Sequence, residues 1–395
     1  MLRKIDQEKC TGCGACYKYC GLDVFRLDTN QVEMPPCQNA CPAGVDVRAY
    51  AYFLQQGQIR NAASVLMKAN PIPALTGRTC HRFCEKKCER SKVDEAVNIN
   101  GLEQFVGDWA LAHPSGPTPV TRTGRIAVIG SGAAGLSAAY FLNQKGFPVT
   151  IFEAGKKPGG LFRTAYANLD QGVLDAQIEY LKRLGIEFQC GARVGDGLEL
   201  NLESLAKKEY KAFLLAVGSN KEKSKREPPP FSSVAAITSD CHITVSPISY
   251  VTSTRNVFAA GDVIGGGRSI PHSIQSGREA AESIRRHMDG WDPLEGRDEP
   301  RPLLEKLPGQ GIKTEPRLNR TALPAERASQ GFQYEEMLSE AQRCMTCGSK
   351  ASAYYKDDCM VCYTCEMSCP VGAITVHPFK ENLPRTIPYP NEGVK

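Results

Sequence analysis

The chain has 395 residues, 42% hydrophobic and 23% charged, which is ordinary for a soluble globular protein and long enough for two or three domains with real cores. No apolar run approaches the ~18 residues of a membrane span, and Met1 opens directly onto charged residues, so neither a span nor a signal peptide is expected and the reading is cytoplasmic. In that compartment 17 cysteines, many in closely spaced runs, point to metal rather than disulfides.

The first run is Cys10, Cys13, Cys16 and Cys20 at C-x2-C-x2-C-x3-C spacing, and Val24 to Leu27 reads as a short strand behind it. Cys359, Cys362, Cys365 and Cys369, followed by Pro370, repeat the spacing near the other end. Zinc also takes four thiolates, but its sites come as separated pairs. This spacing resembles bacterial two-cluster ferredoxins, in which the first three thiolates of each run hold one [4Fe–4S] cubane and the fourth serves the other. Cys10, Cys13 and Cys16 would then act with Cys369, and Cys359, Cys362 and Cys365 with Cys20. With residues 29–349 dropped, the two ends read continuously, so one ferredoxin is expected with some 320 residues inserted at its central loop. Its halves are 1–30 and 349–395, the latter including an extended tail.

The insertion opens with Pro35-Pro36-Cys37 and Cys41-Pro42, then shows helical patterns at about 46–57 and 59–69, with Val47, Tyr50, Ala51 and Leu54 on one face. Asn70-Pro71 ends the second; Cys80, Cys84 and Cys88 follow, then a helix near 102–111. Residues 37–109, through C-x3-C-P, N-P-x-P, G-R-x-C, C-E-x-x-C and N-x-x-G-L-E-Q-F, resemble the helical iron–sulfur domain of the glutamate synthase small subunit and dihydropyrimidine dehydrogenase. The resemblance implies two cubanes, with two ligands from a C-x2-C just before the C-x3-C-P. None precedes Cys37 here; Cys344 and Cys347, in EAQRCMTCG, are expected to supply the pair from the far end of the insertion. The helical domain is thus read as 31–118 joined by 331–348. The implied sets are Cys37, Cys88, Cys344 and Cys347, and Cys41, Cys80 and Cys84 with Glu103, Gln104 being the runner-up. Cys190 and Cys241 are left over and read as buried, inert thiols. The formal charge of +5 becomes roughly −3 with four clusters at about −2 each, so the basic excess is counter-charge and no nucleic acid partner is expected.

Arg125 to Ile129 reads as a strand, and Gly130, Gly132 and Gly135, with Ala134 between, form G-x-G-x-x-G opening a helix. A second strand from Val149 ends at Glu153, the acidic residue expected on a ribose hydroxyl of a dinucleotide. Gly159-Gly160-Leu161, Ala216-Val217-Gly218 and the run to Gly261-Asp262 resemble the two-dinucleotide flavoproteins. That resemblance implies FAD, with Asp262 toward the ribityl or phosphate end and a helix from Ile270 through Ser273 to Ala281 facing the pyrimidine edge, where a positive helix end stabilises reduced flavin. His272 there reads as a helix-start residue. In that family a whole NAD(P)H domain lies between the A-x-G and G-D strands. Here residues 219–255, with a basic run at 221–226 and three prolines at 228–230, fill the interval and are too polar for a strand–helix–strand unit of about 30 residues. Gly265 to Gly267 fit no fingerprint. The FAD domain is placed at 119–292 without its NAD(P)H domain, and 293–330 reads as an extended linker.

The expected fold class is an α/β Rossmann-type FAD-binding domain, an all-α iron–sulfur domain and a split α+β two-cluster ferredoxin. No pairing of side chains suggests a nucleophile or hydrolytic centre, so no catalytic residue is singled out and chemistry falls to the cofactors. The ferredoxin halves resemble small ferredoxins that accompany fumarate-reductase-type flavoproteins and adenylylsulfate reductase, which implies an electron-transfer subunit with a catalytic flavoprotein or a soluble ferredoxin as partner. A self-sufficient NAD(P)H:ferredoxin-type reductase or bifurcating module, and a cluster-conducting scaffold with structural FAD, are the alternatives.

Overall fold

The computed structural model describes residues 2–6, 9, 10, 16, 19, 20, 24, 25, 35–166, 169–219, 227–265, 269–297, 318–322, 330–347, 359–369 and 372–376. Cys13, the basic run at 221–226, Gly266 and Gly267, Pro370, most of the 293–330 interval and the tail beyond Val376 lie outside them. A strand, β1 (Leu2–Ile5), precedes a helical part made of α1 (Pro36–Ala40), α2 (Val47–Gln55), α3 (Ile59–Met67), α4 (Pro73–Thr79), α5 (Phe83–Lys86) and α6 (Ile99–Ala112). The nucleotide-binding part follows: β2 (Arg125–Ile129), α7 (Ala133–Gln144), β3 (Val149–Glu153), α8 (Leu161–Thr164), α9 (Gln171–Arg183), β4 (Glu187–Cys190), α10 (Leu202–Lys207), β5 (Tyr210–Leu215), β6 (Val257–Ala259) and α11 (Ile270–Met288). The chain closes with α12 (Tyr334–Gln342), α13 (Thr364–Ser368) and β7 (Ile374–Val376).

β1 and β7 pair antiparallel, Leu2 opposite Val376 and Ile5 opposite Ile374, so the two ends of the chain meet in one small sheet. The Asp6 N–H adds a hydrogen bond of 2.7 Å to the Ala373 carbonyl. Val24 and Phe25 form a turn and a bend instead of the expected strand. Both side chains are buried in the same core as Leu2, Ile374 and Val376, whereas a strand would send neighbours to opposite faces.

Helix α2 starts where the Asp46 carboxylate caps the Ala49 N–H at 3.1 Å, and α6 where the Asn98 side chain accepts from the Gly101 N–H at 3.0 Å. Helix α12 returns from the far end of the chain to pack on α2 and α6. Gln55 Nε2 donates to the Ala341 carbonyl at 2.8 Å, and the Asn98 N–H to Glu340 Oε1 at 2.6 Å. Residues 318–322, in the interval expected to be a linker, are fastened to the same place. Arg320 pairs with Glu85 at 2.9 Å, and the Thr321 N–H donates to Glu340 Oε2 at 2.6 Å.

The larger sheet is wholly parallel, in the order β4-β3-β2-β5-β6. Its central strands are apolar because both faces are covered, as parallel strands require. On one face α7 packs against α11. On the other lie Phe231, Ala235 and Ile243 from the β5–β6 connection, in one core with Ile129, Phe213 and Leu215. Among the described residues that connection holds only turns and isolated bridges at Ile237–Ile243 and Val251–Phe258, and no second nucleotide-binding sheet. The two left-over thiols are not buried. Cys190 is exposed at the end of β4, an edge strand with mostly exposed side chains, and Cys241 is half-buried in a turn with left-handed backbone. No helix among the described residues is long and apolar enough to cross a membrane.

Candidate functional site

The helical part encloses two cavities. The first is lined by Cys37, Cys88, Cys344 and Cys347 with Arg48 and Arg90. The second is lined by Cys41, Cys80, Cys84 and Glu103 with Asn70 and Thr76. The structure thus gathers both helical sets expected from the sequence, including the pair supplied from the far end of the chain. Val47 of α2 and Ile99 of α6 line both cavities and form a common wall between them. No group of three or more His, Cys, Asp or Glu among the described residues closes in around a single metal ion. Four-donor sets spread around a cavity fit the larger iron–sulfur cubane, with one thiolate per iron.

Electrostatics distinguish the two spaces. Burial pushes the Cys344 thiol up to about 12 and the Cys347 thiol to about 11, and the other cysteines of the set add to the rise, while Arg48 pulls both back. Burial and its cysteine neighbours push Cys37 up too, again opposed by Arg48. Around the second cavity burial raises Cys80 to about 12 and also lifts Cys41 and Cys84, and Glu103 pushes all three further. Crowded thiols that resist ionisation without a cation are what a cluster site presents before its positively charged core is supplied.

Glu103, on the second turn of α6, is buried and has its carboxyl raised by that burial to about 7. Its Oε1 accepts from Thr76 Oγ1 at 2.6 Å and from the Asn70 side chain. Gln104 is buried too, but it does not line the cavity. Asn70 and Thr76 were not singled out from the sequence as site residues; Asn70 stood there only as a helix terminator within N-P-x-P. Arg48 carries no sequence signal at all, since the surrounding residues of α2 are buried on every side.

At the chain ends Cys10, Cys16 and Cys365 are buried and Cys20, Cys359 and Cys369 pack against the same core. Burial raises Cys365 to about 11, with Cys359, Cys20 and Cys362 adding to it, so Cys20 stands beside the run from the other end of the chain. Cys369 accepts a hydrogen bond from the Ala373 N–H at 3.2 Å, and Cys362 is exposed. Tyr52 of α2 connects this end to the helical part: burial raises its hydroxyl, and Asp6 and Cys369 lie close enough to add to the shift.

In the parallel sheet the glycine loop has the form a dinucleotide requires. Gly130 has φ +105°, and a Cβ there would sit 2.4 Å from the Ala216 carbonyl oxygen; one on Gly135 would sit 2.0 Å from the Gly130 oxygen. Above Gly132, by contrast, the space is open, and α7 begins there without a side-chain cap, leaving its first N–H groups for a pyrophosphate. Glu153 ends β3 beside this loop, its Oε2 accepting from the Ser131 N–H at 3.1 Å. Ala134 is buried behind the loop, and Gly160 leads into α8 opposite Gly132, with Leu161 exposed. Gly218 follows β5, and Gly261-Asp262 follow β6, with Ser273 Oγ 3.5 Å from Asp262 Oδ1. Helix α11 starts at Ile270, as expected, and Ser269 Oγ bonds His272 Nδ1 at 2.7 Å. Its first two turns touch the helical part: Pro271 and Ile274 line the second cysteine cavity, and the His272 ring meets Phe83 edge-on at 6.4 Å. Tyr166, raised by burial and by nearby Asp262 and Cys80, stands at the same junction.

Comparison with known proteins agrees with this division. Residues 30–115 match the family described as "Dihydroprymidine dehydrogenase domain II, 4Fe-4S cluster", 128–189 an NAD(P)-binding Rossmann-like domain, and 3–26 with 353–375 a 4Fe-4S binding domain. The chain is 32% identical over 209 residues to the NADP(+)-dependent formate dehydrogenase subunit beta of Moorella thermoacetica, covering 46% of this chain and 29% of that one. It is 35% identical over 191 residues to the NAD-dependent dihydropyrimidine dehydrogenase subunit PreT of Escherichia coli K12, covering 46% and 45%. With the glutamate synthase [NADPH] small chain of Bacillus subtilis 168 the identity is 30% over 220 residues, covering 54% and 42%. The chain spans less than half the length of each of these relatives. Over those parts the chain is similar to iron–sulfur and Rossmann-like domains and homologous to oxidoreductase subunits.

Proposed function

We propose that the chain binds one FAD and four [4Fe–4S] clusters and relays electrons between them and a partner redox protein. The observation that carries this is the shared wall. Among the described residues Val47 and Ile99 line both cysteine cavities, and the second cavity is closed on another side by the first two turns of α11, the helix that faces the candidate flavin site. Cys37, Cys88, Cys344 and Cys347 would hold one cluster, and Cys41, Cys80, Cys84 and Glu103 the next. Cys10, Cys13, Cys16 and Cys369, and Cys359, Cys362, Cys365 and Cys20, would hold the two of a ferredoxin split between the ends. When bound, the flavin exchanges electrons singly or in pairs and the clusters exchange them singly. The residues of the chain supply the rest. Asn70 and Thr76 aim the Glu103 carboxylate, and Gly130 and Gly135 bring the backbone up to the pyrophosphate. Tyr52 and Tyr166 stand at the two junctions the electrons would cross.

On this reading the β5–β6 connection replaces an NAD(P)H domain, so two-electron exchange needs a partner, of the fumarate-reductase-like flavoprotein kind, that carries the substrate chemistry. The test is anaerobic titration of cluster-replete protein. NADH and NADPH should leave the flavin oxidised while dithionite bleaches it, with about sixteen irons and one FAD per chain. Rapid bleaching by either nicotinamide would make the chain a self-sufficient reductase and overturn the need for a partner.

A further inference from the structure

The two helical cavities differ in charge, and the difference turns on Arg48. Its side chain is 3% exposed and lines the cavity of Cys37, Cys88, Cys344 and Cys347, where Nη1 donates to the Cys347 carbonyl at 2.8 Å. Its Nε lies 3.9 Å from Asp46 Oδ1. At the same wall Arg90 makes a two-pronged contact with Asp94 at 2.6 and 2.9 Å, and Glu89 engages Lys92. Among the described residues the lining of the second cavity contains one carboxylate, Glu103, and no basic side chain, and Glu85 is buried next to Cys84. Arg48 also occupies the first turn of α2, the end of a helix where a cation is disfavoured.

We propose that Arg48 makes the cavity of Cys37, Cys88, Cys344 and Cys347 the higher-potential member of the pair, so that an electron shared between the two cavities resides there and not beside Glu103. Reduction adds one negative charge to a cluster, which a buried cation at the wall stabilises and a buried carboxylate opposes. Arg48 is thus a tuning residue for the relay, and the inference rests on the reading that both cavities hold clusters.

The experiment is an anaerobic redox titration of the full chain followed by electron paramagnetic resonance, with iron content measured alongside. Loss of one signal and its iron in Cys344→Ser identifies the cluster concerned; if neither is lost, the cluster reading fails, and not the role of Arg48. In Arg48→Met that cluster's midpoint should fall by at least a tenfold change in its reduction equilibrium, 59 mV for one electron, with the other midpoints unmoved. Arg48→Lys should retain most of the wild-type value. Asp46→Asn keeps the helix cap, removes the opposing charge and should raise the same midpoint. An unmoved midpoint in Arg48→Met with full iron would overturn the proposal. Should Arg48→Met lose iron, Asp46→Asn decides: a downward or absent shift overturns it.

Discussion

The nucleotide-binding part and the helical part make room for cofactors by opposite means. In the first, residues 125–153 are a single strand–loop–helix–strand stretch whose geometry is set by contacts between near neighbours. In the second, the cavity walls come from places as distant as Arg48 and Cys347, 299 positions apart, held together by α12 and the strap at 318–322. The contiguous site is therefore vulnerable to one backbone change, and the assembled one to the loss of whatever fastens its far segment.

The sharpest contrast comes from Gly130→Val. A side chain at φ +105° with the Ala216 oxygen 2.4 Å from its Cβ cannot be accommodated, so flavin content should fall to near zero while iron is retained. Loss of iron as well would mean that the two parts do not fold independently. Next, Cys344→Ser with Cys347→Ser should remove about four irons, one cluster, and leave FAD bound. Glu103→Ala should likewise cost one cluster's iron; unchanged iron would retire it as a ligand in favour of Gln104 or water.

Arg343 and Glu340 are both fully buried and pair at 2.7 Å, and Arg343 also reaches Asp94 at 2.8 Å. Arg343→Met leaves Asp94 with Arg90 but removes the cation beside fully buried Glu340, so thermal unfolding should show a loss of ~3–5 kcal/mol, with the segment of Cys344 released first. The smallest effect is in acid. The hydrogen bonds from Arg90 hold the Asp94 carboxyl well below its usual range. Its folded pKa being depressed, the stabilisation is present above the ordinary carboxylate pKa of about 4 and is lost as pH falls below that. Asp94→Asn should flatten the acid limb of the unfolding curve, and an unaltered limb would show that other carboxylates set it.

The same contrast explains what the sequence could and could not reveal. Local geometry writes itself into spacing: Gly130, Gly135 and Glu153 were legible because strand, turn and helix impose fixed intervals. The pairing of Cys344 and Cys347 with Cys37 was reached only through a resemblance and a missing pair of ligands. Arg48 gave no signal, because all but one of the residues of α2 from Val47 to Leu54 are buried and periodicity cannot mark one wall among several. Exposure of Cys190 was missed because an edge strand has the same local pattern as an inner one until its neighbours are known. The turn at Val24 and Phe25 was read as a strand since two consecutive apolar residues carry no period. The strap at 318–322 was read as linker because its hold on the fold is through Arg320 and backbone N–H groups, which composition does not display.

The pairing of β1 with β7 has a consequence in time. The first strand leaves the ribosome about 370 residues before its partner at Ile374–Val376. At typical synthesis rates of about 5–20 residues per second that interval is roughly 20 to 75 s. Throughout it Cys10, Cys16 and Cys20 have no opposing run and must stay reduced without a metal core to shield them. On the proposed reading, the clusters shared by the two runs can load only after the second run has emerged.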